Sequence, residues 1–143
     1  MPPTYFLVML ILSIILCLVF PAGRILFPPY AYFGFFLIAF GIVVNLWADL
    51  IFKREKTTVR PDETPKNLVT SGPFCLSRHP MYLGMAAILL GVAIVHGVLV
   101  SFLFPLLFVV LIEIKFIPTE ERNLEKAFGK HYLEYEKKVR RWI

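Results

Sequence analysis

Few residues of this chain can carry charge, and fewer could ligate a metal. Only 17% are Asp, Glu, Lys or Arg, against 58% hydrophobic residues and a mean hydropathy of +0.72 over 143 residues. That balance excludes an ordinary water-soluble domain. The two cysteines, Cys17 in an apolar run and Cys75 in a polar loop, suggest neither a disulfide nor a thiolate metal site. The three histidines, His79, His96 and His131, are too dispersed for a metal cluster or for the His boxes of a membrane di-iron centre, so no metal is expected. The eight glycines build no phosphate-cradling loop after a strand, which excludes a Rossmann-type site. No serine occupies a nucleophile elbow, and neither internal repeats nor low-complexity tracts occur.

What the chain has instead is four apolar runs, over approximately residues 5–20, 30–52, 81–100 and 101–117. A bilayer core of about 30 Å needs roughly 20 apolar residues per helix. The expected fold is an all-α integral membrane protein with four transmembrane helices, a cytoplasmic loop over 57–80 and a C-terminal amphipathic helix over 118–143, together one domain of 143 residues. No Lys or Arg precedes the first run and no small-residue cleavage site follows it, so it reads as a retained helix. Pro21 to Pro29 is a turn-rich link. Asp49, near the end of the second run, is either an interfacial residue or a polar group facing a cavity. Only His96-Gly97-Val98 separates the third and fourth runs, which predicts a tight antiparallel hairpin, and Pro105 is expected to kink the fourth.

The net charge of +5 is distributed by membrane side. Six basic residues (Lys53, Arg54, Lys56, Arg60, Lys66, Arg78) lie between the second and third runs, and seven more, from Arg122 to Arg141, follow the fourth. The other side holds only Arg24. The positive-inside rule puts both termini and the 53–80 loop in the cytoplasm, and the pattern gives no support to a nucleic-acid partner. The short chain without a targeting signal reads as a prokaryotic plasma-membrane protein. Leu124, Phe128, Tyr132, Tyr135 and Val139 form one apolar stripe at helical spacing, interrupted at Gly129. The run Lys137-Lys138-Val139-Arg140-Arg141-Trp142 is expected to lie on the anionic leaflet, which makes membrane lipids a partner.

Titratable groups at the mouth of a membrane span invite a functional explanation. Arg78, His79 and Tyr82 stand at the start of the third run; Glu120 and Glu121 follow the end of the fourth. The hairpin makes these two ends neighbours. Taken singly, Arg78 and His79 could be cytoplasmic anchors, and the Glu pair could merely suit a helix start behind Pro118. Glu113, inside the fourth run, is either functional or neutralised by Lys115 or Lys53.

Several of these residues recur in an ordered series. Leu68-Val69-Thr70-Ser71-Gly72, Arg78-His79-Pro80-x-Tyr82-x-Gly84, Glu120-Glu121-x-x-Leu124 and Phe128-Gly129-x-x-Tyr132-x-x-Tyr135 together resemble the isoprenylcysteine carboxyl methyltransferase family, which is grouped with the membrane phospholipid methyltransferases. The resemblance covers roughly Lys66 to the C-terminus. It implies S-adenosylmethionine as cofactor, bound at the cytoplasmic membrane face by Lys66, Asn67, Leu68, Val69, Phe74, His79, Pro80, Met81 and Tyr82. It places Glu120 near the acceptor with Glu121 beside it, and Arg78 joins them in the catalytic set. Aromatic side chains such as Phe74 and Tyr82 suit adenine or a sulfonium. Two positions depart from the prenylcysteine enzymes: Phe74 stands where they usually carry Tyr, and Phe116 stands where they carry Arg. An arginine would pair a carboxylate acceptor by two parallel bonds, so its absence argues against a prenylcysteine carboxylate.

The expected reaction is direct methyl transfer to a lipophilic or amphipathic acceptor (an isoprenoid, a lipid, or a thiol or carboxyl compound) entering sideways between helices. A carboxylate acceptor needs no base; an amine or thiol does, and His79 or Glu120 is the candidate. The alternative is a small non-catalytic membrane scaffold or lipid-binding subunit, which accounts for the charge distribution but not for the ordered motifs. A transporter would have few intramembrane polar residues to use, chiefly Asn45, Asp49 and Glu113.

Overall fold

The computed structural model describes residues 1–19, 23–26, 28–55 and 67–143. Six α-helices run in order: α1 (Pro2–Val19), α2 (Ala31–Arg54), α3 (Pro80–His96), α4 (Leu103–Leu111), α5 (Ile117–Phe128) and α6 (Lys130–Lys138). A 3-10 turn, Gly72–Cys75, precedes α3; another, Leu99–Phe102, leads into α4, and a π-helical turn, Ile112–Phe116, joins α4 to α5. The described residues contain no strand, only a single antiparallel bridge between Arg24 and Val98. The fold is all-helical, as expected.

Among the described residues three helices are long and apolar enough to cross a membrane: α1, α2 and the continuous 30-residue helix Leu99–Phe128. The third expected span is shorter than its sequence run. It ends at His96 because Gly97 adopts a left-handed conformation (φ 68°), and its N–H closes on the Ala93 carbonyl. That leaves α3 as a 17-residue apolar helix. The outward faces of α1 and α2 expose Leu7, Ile11, Phe33, Phe36 and Leu50, a continuous apolar surface that suits lipid and not water. This is a membrane protein.

Burial from water does not drive helices together inside lipid, so close packing must. The α2–α3 contact shows how. Gly34 and Gly41 on α2 face Gly91 and Gly84 on α3, running antiparallel. A Cβ built on Gly91 would lie 2.6 Å from the Gly34 carbonyl oxygen, and one on Gly41 would strike the Gly84 carbonyl oxygen and come within 2.7 Å of the Ile88 side chain. Backbone atoms cannot swing aside. Gly41→Val is therefore expected to lower stability by about 1–3 kcal/mol or more, read as a fall in the thermal midpoint in detergent; an unchanged midpoint would show that the seam is loose.

Helix α1 packs on the other side. Phe6, Met9 and Leu10 meet a core of Tyr82, Met85, Leu89, Phe108, Ile112 and Ile117. Tyr5 stacks edge-on against Phe116 at 5.5 Å, while Cys17 bonds Ser101 at 2.8 Å near the opposite end. The start of α1, the end of α2, the start of α3 and the α4–α5 junction thus share one end of the bundle. Residues 23–26 and 97–101 close the other, with the Ile25 N–H donating to the Gly97 carbonyl at 2.6 Å. The hairpin turn lies where the sequence predicts it. Pro105, expected to kink the fourth run, is the third residue of α4, directly after the 3-10 turn Leu99–Phe102 that contains Ser101, the residue whose carbonyl its missing N–H would have met. The irregularity falls at Ile112–Phe116, immediately before Pro118, whose ring withholds the N–H that an α-helix would direct to the Ile114 carbonyl.

Candidate active site

Pro80 shapes the site. The residue before a proline is driven out of the α region, and His79 (φ −128°, ψ 59°) stands just outside the helix that Pro80 begins. Its N–H is held by the Ser77 hydroxyl at 3.2 Å. One turn further, the Tyr82 ring stacks on the His79 ring at 5.7 Å with 13° between planes. The buried imidazole lies between two carboxylates: Nδ1 is 3.4 Å from Glu120 and Nε2 is 3.4 Å from Glu121. The Tyr82 hydroxyl donates to the other oxygen of Glu120. Residues distant in sequence meet as the hairpin predicts.

Glu121 is the hub of the cluster. Besides His79 it pairs with Arg78 Nη1 at 3.2 Å, and Arg141 grips it by a fork, Nη2 to Oε2 at 2.7 Å and Nε to Oε1 at 3.1 Å. Arg78 also contacts Glu136 at 2.6 Å and the Tyr132 hydroxyl at 3.1 Å. Its Nε is buried without a partner among the described residues.

These contacts outweigh burial. Burial disfavours a charged carboxylate, and at Glu121 the bonds to His79 and Arg141 with the charges of Arg78 and Arg141 offset that cost. Glu121 stands one turn beyond Ile117, where the apolar run ends. Burial likewise opposes charge on His79, and its hydrogen bonds to Glu120 and Glu121, with their negative charge, hold its pKa above the ordinary 6.5. Burial also works against charge on Arg78, but its bond to Glu136 and the field of Glu121 keep it firmly protonated.

The remaining expected site residues fall into two groups. Val69, Phe74 and Met81 pack with Ala48, Ile51 and Phe52 into a second apolar cluster, with Phe74 edge-on to Phe52 at 5.1 Å. Pro80 is buried at the start of α3. Asn67 donates to the Glu55 carbonyl at 3.1 Å, and Leu68 lines a cleft of about 540 Å³ together with Thr70, Phe128, His131, Glu134, Tyr135 and Lys138. Lys66 lies outside the described residues, as does the stretch 56–66 of the expected cytoplasmic loop. The cluster of His79, Arg78 and the Glu pair therefore adjoins, but is distinct from, the segment 67–74.

Several participants are missing from the sequence reading. The apolar stripe on α5 and α6 does face inward, and its tyrosines also bond: Tyr135 donates to the Phe74 carbonyl at 2.6 Å, tying the 3-10 turn to α6. Arg141 and Trp142 were expected on the leaflet surface, yet both fold into the bundle. Helix α6 stops at Lys138, Val139 is extended, and the chain turns back so that Arg141 and Trp142 reach Glu113 at 2.5 and 2.8 Å. Glu113 is thus neutralised by Arg141, not by Lys115 or Lys53. Lys115 instead reaches the Tyr5 hydroxyl at 3.4 Å, and Lys53 pairs with Asp49 at 2.6 Å. Among the described residues no group of His, Cys, Asp and Glu could hold a metal.

Residues 30–131 match the family model for phospholipid methyltransferase, a span that includes the α2–α3 seam, His79 and both site carboxylates. No curated protein and no solved structure matches the chain.

Proposed function

Because the chain belongs to the phospholipid methyltransferase family, we propose that the His79 cluster is the methyl-transfer site of an S-adenosylmethionine-dependent enzyme acting on an amphipathic amine. In this reading α3 is a fourth span. At 17 residues it is about 26 Å long, at the short limit for crossing a bilayer core. The basic residues of 53–80 and 122–141 support a reading with both termini and the site on the cytoplasmic face of a membrane, taken to be a prokaryotic plasma membrane.

One observation carries the proposal: among the described residues, the cluster holds more negative charge than positive. Glu113, Glu120, Glu121 and Glu136 face Arg78, Arg141 and His79. Even with His79 protonated, four carboxylates exceed three cations. Such a site favours a sulfonium and an ammonium over a carboxylate. At the position of the prenylcysteine enzymes' acceptor-side arginine, Phe116 packs on Tyr5, and the adjacent Lys115 turns to the Tyr5 hydroxyl.

Two further observations support the cofactor: Leu68 lines an open cleft of about 540 Å³, and the orphaned Arg78 Nε offers a buried donor. Asn67, Leu68, Val69, Phe74, His79, Pro80, Met81 and Tyr82 are the residues we assign to holding it, with Lys66 at the edge. Bound there, S-adenosylmethionine would supply a methyl group on a positively charged sulfur.

The protein's part is to align the acceptor and exclude water, for which effective-molarity effects are worth about 7–11 kcal/mol. An ammonium headgroup must also lose a proton before its nitrogen can act as a nucleophile. Glu120 is suited to accept it, because among the described residues it pairs with His79 and Tyr82 and with no guanidinium. His79, fixed at both nitrogens, orders the loop and holds Glu120 in place.

The test is methyl-labelled S-adenosylmethionine with purified protein in lipid nanodiscs, offering an ethanolamine-headed lipid or a prenylcysteine. Label is expected in the aminolipid, and Glu120→Gln should reduce it about 10²–10⁴-fold. Label in the prenylcysteine alone would overturn the amine assignment.

A further inference from the structure

The segment after α6 returns to the cluster and is anchored there twice over. Its backbone is tied to the start of α3: the Arg78 N–H donates to the Arg140 carbonyl at 3.0 Å, and the Ser77 hydroxyl donates to the Arg141 carbonyl at 3.1 Å. These two bonds hold the segment whatever side chain residue 141 carries. The Arg141 guanidinium adds a second set of contacts directed at carboxylates. Nε and Nη2 take both oxygens of Glu121, and Nη1 takes one oxygen of Glu113. The other Glu113 oxygen accepts the Trp142 indole N–H at 2.8 Å. A continuous chain of donors and acceptors results, from Trp142 through Glu113, Arg141, Glu121, His79 and Glu120 to Tyr82.

We propose that Arg141 is a positioning residue for His79, acting by fixing the plane and rotation of the Glu121 carboxylate, and that Glu113 serves to aim Arg141. The proposal rests on the assignment of His79 and Glu120 to the transfer site. A carboxylate bound on one side only can rotate about its terminal torsion, which is broad and soft. Gripped by the fork, Glu121 presents Oε1 toward His79 Nε2, and the ring so held presents Nδ1 to Glu120. Glu113 also gains an explanation. A carboxylate in an apolar helix is costly without a specific partner, and both of its partners come from the returning segment. Only arginine can bridge two carboxylates in this way, because its donors are fixed in a planar fork while lysine is a point charge.

His79 itself reports on the arrangement. It is faced by Glu120 and Glu121 from α5, by Tyr82 from its own helix and by the neighbouring Arg78. NMR titration of the ligand-free protein in detergent, with the His79 signal assigned by its loss in His79→Gln, gives the midpoint directly. In Arg141→Ala the midpoint should move up, since a competing cation leaves Glu121, and the ring signal should broaden. Arg141→Lys keeps a charge but loses the bridge; it should broaden the signal with a smaller upward shift. This variant carries the test if Arg141→Ala does not fold. A wild-type midpoint and linewidth in both would show that Arg141 merely fastens the segment, and would overturn the proposal. Because no ligand is present, this result is separable from the methyltransferase reading, which would fail instead if the folded wild type did not bind S-adenosylhomocysteine.

Discussion

Glu121→Gln should destabilise the protein by about 3–5 kcal/mol, the cost of breaking a buried ion pair by removing one partner. The Glu121 side chain is 11% exposed and Arg78 is 9% exposed, so neither has water to replace what is lost. The glutamine retains an acceptor but not the charge that balances Arg78, Arg141 and His79. The pair Asp49–Lys53 is the internal control. Its side chains are 36% and 73% exposed, they lie one turn apart on α2, and such pairs are worth about 0–1 kcal/mol. Thermal unfolding in detergent should therefore separate Glu121→Gln clearly from Asp49→Asn; equal midpoints would mean that the cluster is solvated.

Much of this was legible in the sequence, for identifiable reasons. Apolar runs and proline punctuation act locally, so the helices, the hairpin turn at Gly97 and the break at Gly129 could be read directly. The meeting of His79 with Glu120 and Glu121 followed from topology, since a tight hairpin brings its two open ends together. The Arg141 contacts could not be reached that way. A basic and aromatic run after an amphipathic helix has the composition of an interfacial anchor, and nothing local says that it folds back at Val139. The π-helical turn was equally hidden, because its cause, Pro118, lies beyond the residues it displaces. The glycine seam depended on pairing Gly34 with Gly91 and Gly41 with Gly84, a register set by contact between helices and not by either helix alone.

His79→Ala should abolish cofactor binding, and pH decides where to look. A histidine whose folded pKa stands above 6.5 contributes stability that is fully present below 6.5 and is lost as pH rises through the folded value. Each unit of elevation is worth about 1.4 kcal/mol. Removing the side chain therefore costs most stability in acid and least in alkali, where the wild-type ring is already neutral. On the alkaline side of the wild-type midpoint the variant should remain folded while lacking the imidazole that contacts Glu120, Glu121 and Tyr82. A binding defect measured there is a defect of the site and not of the fold.

The decisive measurement is a calorimetric titration of S-adenosylhomocysteine into the detergent-purified protein at such an alkaline pH, wild type beside His79→Ala. The account predicts micromolar binding by the wild type and none by the folded variant. Equal affinities would show that His79 does not hold the cofactor; no binding by the folded wild type would contradict the methyltransferase assignment itself.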